Sequence, residues 1–148
     1  MPDIVEDEIL RRVWKLGNAL VKYRNESLKD QDLTSVQAEV ISFILKNEDK
    51  AEINLLDVQK HLALTHPTVI GIAKRLEEKS FIKREQSKTD ARYTSLKLTK
   101  KGLEFRNVLS KKAAENEEIL LQGMKDDERK EFNRLLGIAL KNMTEKRE

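Results

Sequence analysis

Apolar residues recur at helical spacing along most of the chain and at strand spacing only in its middle. From about Asp7 to Arg24, Ile9, Val13, Leu16 and Leu20 repeat every three or four residues, flanked by Leu10, Trp14, Gly17 and Val21. This pattern predicts a first helix with wide apolar coverage. The polar stretch Glu26 to Asp32 reads as a loop. Thr34-Ser35-Val36-Gln37 then predicts a capping box, in which the Thr34 hydroxyl accepts from the third backbone N–H and Gln37 reaches back. Val36, Val40, Ile41, Phe43 and Ile44 make the following helix amphipathic, and Lys46 to Glu52 ends it. Asn54 is placed as the N-cap of a short helix carrying Leu55, Leu56, Val58 and Leu62.

A tight break at Ala63-Leu64 leads into Thr65-His66-Pro67. Thr65 is expected to cap the next helix, and Pro67 falls in its first turn, where a missing N–H is tolerated. Val69, Ile72, Ala73 and Leu76 form one face of that helix. Two short helices across a tight turn make a helix-turn-helix. Beyond Ser80 the period becomes extended: Phe81 to Gln86 and Tyr93 to Leu98 are the arms of a hairpin joined by the polar loop Ser87 to Arg92. Thr99 is expected to cap one long helix through Met124, and a break near Gly123 to Asp127 precedes a last helix with Phe132, Leu135, Leu136, Ala139 and Met143. The predicted fold is mainly α with a small β-hairpin wing, a winged helix-turn-helix.

Composition narrows the function classes. The chain has 148 residues, 37% of them charged, with 5 glycines and 2 prolines, which leaves room for long helices and little for an all-β fold. No cysteine is present, which removes disulfides, thiol sensing and a cysteine nucleophile. His61 and His66 are five apart and do not share a helical face, so a metal pair is not expected. No Gly-rich phosphate loop, Ser–His pairing or paired carboxylates appear. An enzyme is therefore not expected, nor a cofactor. The acidic N-terminal residues do not read as a secretory signal, and the longest apolar run, Val40 to Leu45, is far too short to span a membrane. The expectation is a cytoplasmic protein without a membrane partner.

Charge changes the picture when divided by region. Between Lys60 and Lys101 eleven bases stand against four acids, so this segment carries +7 and the remainder −4 of the overall +3. One face is thus suited to a polyanion. At about 100° per residue, Val69, Ile72, Ala73 and Leu76 cluster on one side of their helix and leave Pro67, Ile70, Gly71, Lys74 and Arg75 facing away, bordered by His66 and Thr68. This outward face is free of acid until Glu78, and its N-terminal end favours phosphate. Such a helix fits a major groove. Lys88 and Arg92 in the hairpin loop suit a narrow minor groove, with Asp90 placed to aim the arginine. The competing reading is a winged-helix protein-interaction module without specific DNA binding, in which these bases are a solvated surface.

The ordered motifs resemble the MarR family of bacterial winged-helix regulators over nearly the whole length. The run begins with Leu33-Thr34-Ser35-Val36-Gln37 and continues through Leu64-Thr65-His66-Pro67-Thr68-Val69 and Lys74-Arg75-Leu76-Glu77-Glu78-Lys79. It closes with Asp90-Ala91-Arg92 and Leu98-Thr99-Lys100-Lys101-Gly102. The resemblance implies a single domain over 1–148, with about 34–99 the winged helix and about 4–25 and 100–146 dimerisation helices. It implies a homodimer on a pseudo-palindromic double-stranded DNA operator, commonly a repressor released by a small anionic aromatic effector. The terminal helices support this independently by carrying more apolar surface than a small winged helix needs. Thr65, His66, Pro67, Thr68, Ile70, Gly71, Lys74 and Arg75 would face the major groove and Lys88, Asp90 and Arg92 the minor groove. Trp14, Tyr23 and Phe43 are the candidate lining of an effector pocket.

Three positions depart from the family pattern. Ser80 stands where glycine is common after the helix, and so is expected in the left-handed region. Ile70 replaces a frequent hydroxyl residue and favours a thymine methyl over a hydrogen bond. Gly71 offers backbone in place of a side chain.

Overall fold

The computed structural model describes residues 7–145 of the chain; the expected helical residues 4–6 and 146 lie outside the described residues. The described chain forms α1 (Glu8–Ser27), a 3-10 turn (Lys29–Gln31), α2 (Ser35–Lys46), α3 (Leu55–Leu62), α4 (His66–Glu78), β1 (Ile82–Gln86), β2 (Thr94–Leu98), α5 (Lys100–Glu104), α6 (Arg106–Leu121) and α7 (Asp126–Glu145). It divides into two compact units between Lys112 and Ala113. Among the described residues no helix is long and apolar enough to cross a membrane.

The first unit holds the core. Val40 and Ile41 from α2, Val58 from α3, Val69 and Leu76 from α4, and Phe81 and Ile82 at the start of the hairpin are almost completely buried. With Ala38, Ile44, Leu55 and Ala73, which are also buried, they recur every three or four residues and turn one stripe of each helix inward. The ends of these helices are closed by sequence-local bonds. Thr34 Oγ1 accepts from Gln37 N at 3.3 Å while Gln37 Oε1 accepts from Thr34 N at 3.1 Å, the expected capping box. Asn54 caps α3 reciprocally with Asp57, both bonds at 2.9 Å. Ala63 then takes φ 52°, so the turn of the helix-turn-helix is made by a left-handed alanine with no glycine to announce it.

The end of α4 is a Schellman motif. Phe81 N donates to Leu76 O and Ser80 N to Glu77 O, both at 2.9 Å, with Ser80 at φ 68°. Buried Leu76 and Phe81 supply the apolar contact that accompanies it. Because Phe81 N is spent on the helix, β1 begins one residue later than expected. Similarly Tyr93 N donates to Asp90 O, and β2 begins at Thr94. The strands pair antiparallel from Ile82↔Leu98 to Gln86↔Thr94. Leu96 N donates to Ile53 O at 2.8 Å, tying the hairpin to the segment before α3.

Two expectations are corrected. The stretch Glu26 to Asp32 is not a plain loop: α1 continues to Ser27 and a 3-10 turn follows, because Leu28 and Leu33 are drawn into the core. The single long helix after Thr99 is two helices, α5 and α6, meeting at Phe105, whose ring packs edge-on against Phe81 at 5.0 Å. The Thr99 cap itself forms, accepting from Gly102 N at 3.2 Å. Gly102 is required there, since a Cβ would stand 2.4 Å from Phe81 O.

In the second unit Gly123, at φ +88°, ends the turn expected between the last helices. Arg129 grips Glu118 with two bonds of 2.8 and 2.9 Å, holding that carboxyl below its usual range. No residue of α7 is buried.

Candidate nucleic-acid interface

Helix α4 presents the predicted outward face. His66, Pro67, Thr68, Gly71, Lys74 and Arg75 are exposed, as is the N-cap Thr65, while Val69, Ala73 and Leu76 point inward. Among the described residues neither Lys74 nor Arg75 makes an ion pair, so both cations remain available for phosphate or base edges. A Cβ on Gly71 would meet nothing, so the protein's own packing does not demand glycine at this spot.

Thr65 does not cap as expected. Its hydroxyl lies 2.8 Å from that of Thr68, and no side chain caps the helix. The second helical residue is Pro67, which has no N–H to offer, and the Thr68 hydroxyl competes for the same oxygen. The first turn is thereby left without a side-chain cap, a state in which helix N-termini accept an anion. Nδ1 of His66 lies 3.2 Å from Gln59 Oε1, joining the starts of this face to α3. Ile70 is the residue of this set that turns away from the expectation: it is half-buried and packs against the core. With Glu77, Arg84, Arg92 and Tyr93 it lines a groove of about 510 Å³ between α4 and the hairpin.

The wing loop presents Arg92 as a fixed group. Its Nε and Nη2 donate to Asp90 Oδ1 and Oδ2 at 3.0 and 2.7 Å, and its backbone N donates to Asp90 Oδ1 at 3.1 Å. The side chain is nevertheless 83% exposed. Asp90 thus fixes the arginine, and the arginine's side-chain bonds followed by its backbone N–H hold the Asp90 carboxyl below its usual range. Lys88 is exposed beside it.

Two carboxylates that the sequence reading did not single out fix the hairpin. Glu77, on α4, accepts Arg84 N at 2.8 Å on one oxygen, and Arg84 Nη2 and Nε at 3.0 and 3.2 Å on the other, so the wing's first strand is clamped to the helix. Glu52, in the turn between α2 and α3, accepts from Ser87 Oγ at 2.6 Å, Lys88 N at 2.9 Å and Thr89 Oγ1 at 2.9 Å. Hydrogen bonds, the Ser87 one foremost, draw its carboxyl below the usual range. The only sequence signal for the first clamp was the charge pair itself, and Glu52 had none, being 35 residues from Ser87.

The candidate effector residues do not converge. Trp14, 69% exposed, and Tyr23 lie on the open surface of α1, and Phe43 is half-buried on α2 with its ring stacked on His61 at 4.4 Å. His61 Nε2 also lies 3.1 Å from Glu39 Oε1, and Arg24 from α1 reaches the other oxygen at 3.4 Å. Burial opposes ionisation of Glu39, but these partners outweigh it and its pKa is lowered. The cavity along α1 is lined by Asn18, Val21, Lys22, Asn25, Glu26 and Lys29, without Trp14 or Tyr23.

A helix-turn-helix followed by a clamped basic wing matches known proteins in both sequence and shape. Residues 22–109 match the family described as Transcriptional regulator SarA/Rot. The chain is 34% identical to the HTH-type transcriptional regulator MgrA of Staphylococcus aureus over 126 residues, 85% of this chain and 82% of that one. The chain belongs to the SarA/Rot family of transcriptional regulators. It is a transcriptional regulator and not an enzyme. Among solved structures it resembles a MarR protein from Peptoclostridium difficile, with a TM-score of 0.87 at 24% identity over 97% of this chain and 92% of that one. It also resembles S. aureus MepR in complex with DNA, with a TM-score of 0.81 at 20% identity over 96% and 100%. These two likenesses show the winged-helix fold that SarA/Rot and MarR regulators share.

Proposed function

We propose that this SarA/Rot-family regulator binds double-stranded DNA as a homodimer, reads a pseudo-palindromic operator and represses transcription from it. The observation that carries the reading is the wing tip: an exposed arginine held in a fixed fork by its neighbouring aspartate, beside a helix face whose exposed charges are Lys74 and Arg75. Cations at two points, one of them held in a fork, suit two grooves of one duplex, the helix in the major and Arg92 in the minor. Thr65, His66, Pro67, Thr68, Gly71, Lys74 and Arg75 meet the major groove, and half-buried Ile70 borders them. The MepR structure was solved with DNA, which supports the same use of the fold here.

The dimer follows from what the chain leaves uncovered. Helix α1 buries no residue, and Ile9, Leu10, Val13 and Trp14 are all exposed on it; α7 likewise exposes Leu135, Leu136, Ile138, Leu140 and Met143. Apolar area of this extent is stabilised by removal from water. The whole chain accordingly acts as one functional domain, in which residues 34–99 read DNA and the terminal helices pair with a second copy. Two such winged helices fall about 34–36 Å apart on successive turns of one duplex face. Release by a small anionic aromatic compound completes the reading. Trp14 is the sole tryptophan, so benzoate titrated against its fluorescence tests that part directly.

Selection of bound duplexes from a random-sequence pool tests the core of the proposal. The wild-type protein should enrich a palindromic site and lose affinity steeply with salt as phosphate contacts are displaced. Arg92→Ala should bind the selected duplex roughly tenfold more weakly, the scale of one good groove contact, with an unchanged unfolding midpoint. Weak binding blind to sequence would overturn the proposal in favour of a protein partner.

A further inference from the structure

We propose that Glu52, which lies in neither groove-facing element, is the positioning residue that sets the aim of Arg92. This inference rests on the DNA reading above. A continuous line of hydrogen bonds connects the two residues. Ser87 Oγ donates to Glu52 at 2.6 Å and in turn accepts from Asp90 N and Thr89 N, each at 3.2 Å. Asp90 then holds Arg92 by four bonds through its carboxylate. The Lys88 N–H and the Thr89 hydroxyl attach the intervening backbone to the same glutamate. Every residue from Ser87 to Asp90 is therefore fixed directly by Glu52 or through the hydroxyl that Glu52 orients.

The anchor belongs to the helix-turn-helix and not to the wing. Glu52 directly precedes buried Ile53, whose carbonyl receives Leu96 N, and Asn54, which caps α3. The position of the wing tip is thus referred to the element that carries α4. Without this tie the seven-residue loop beyond the last paired residues, Gln86 and Thr94, would sample many conformations, and Arg92 would lose that freedom only on binding. Charge supplies the contrast that makes the proposal testable. A carboxylate close to a DNA-facing loop repels phosphate, so a Glu52 with no positioning role would weaken binding and its removal would tighten it. A positioning Glu52 gives the opposite sign.

The test uses the full-length protein and the duplex selected by the wild type. Glu52→Ala should weaken binding roughly tenfold, as expected when hydrogen bonds to a charged group are lost, with the unfolding midpoint nearly unchanged. Glu52→Gln, which keeps one acceptor oxygen, should fall between the two. In an Arg92→Ala background Glu52→Ala should cost nothing more, since the residue acts through the arginine. Equal or tighter binding by Glu52→Ala, or a full further loss in the Arg92→Ala background, would overturn the proposal. Amide exchange in the free protein separates this from the underlying reading: Lys88, Thr89 and Asp90 should exchange at least roughly tenfold faster in Glu52→Ala. Unchanged exchange overturns the positioning role even if the wild type reads DNA, whereas a wild type that selects no duplex overturns the DNA reading itself.

Discussion

The stretch from Leu33 to Leu98 and the two long terminal helices are both supplied with leucine, isoleucine and valine, yet they use them in opposite ways. In the former, α2, α3, α4 and the hairpin close around Ile41, Leu76 and Phe81 and leave a polar surface outside. In the latter, neither α1 nor α7 buries a residue, and Ile9 and Leu140 remain 79% and 66% exposed. The first region satisfies its apolar stripes within one chain; the second carries stripes that one chain does not cover. Sequence periodicity alone reports that a stripe exists, and says nothing of whose surface it meets.

The sharpest way to break this contrast is to strike one residue in each region. Leu76→Ala should cost about 2–5 kcal/mol in thermal or denaturant unfolding, as truncations in a closed core do. Leu140→Asp should leave the secondary structure intact and convert dimers to monomers in sedimentation velocity; a dimer of unchanged affinity would show that α7 is not part of the shared surface. A smaller effect probes the junction of α4 and the wing. Ser80 holds φ 68°, a region that costs a residue with a Cβ roughly 1–2 kcal/mol. Ser80→Gly should therefore stabilise by about 1 kcal/mol and raise the midpoint by roughly 3 °C, and an unchanged or lower midpoint would mean the strain is offset elsewhere.

The smallest effect is a pH dependence of the wing. Glu52 and Asp90 are both held below their usual pKa by hydrogen bonds. Their contribution is present above the ordinary carboxylate values near 4 and is lost as pH falls through the lowered folded values. Amide exchange at Lys88 and Asp90, corrected for intrinsic rate, should stay flat from pH 7 to about 5 and rise only below about 4. Loosening already at pH 6 would assign control of the loop to some other group.

Much of the fold was legible because its signals are local. The Thr34–Gln37 box, the Asn54 cap, Pro67 in a first turn, the left-handed Ser80 and the Asp90–Arg92 fork each join residues a few positions apart. Backbone geometry over one turn decides such pairs, and residue type suffices to read them. Where reading failed, either a second element was involved or a neighbouring hydroxyl competed. Thr65 lost its cap to a competing hydroxyl, Ile70 turned toward the core and the groove beside the wing, and the helix after Thr99 broke at Phe105, whose ring packs against Phe81. The left-handed Ala63 carried no glycine to mark it.

What this sequence determined by itself is the type of its main elements, the winged helix, and the residues exposed on its α4 face and wing tip. Periodicity, caps and short motifs are properties of neighbours along the chain. Only the tertiary structure decided which carboxylates hold the wing, because Glu52 and Ser87 meet through the closure of a long loop and not through any spacing. It also decided which apolar stripes remain open. Burial is a relation between surfaces, and periodicity along a chain describes only one of them.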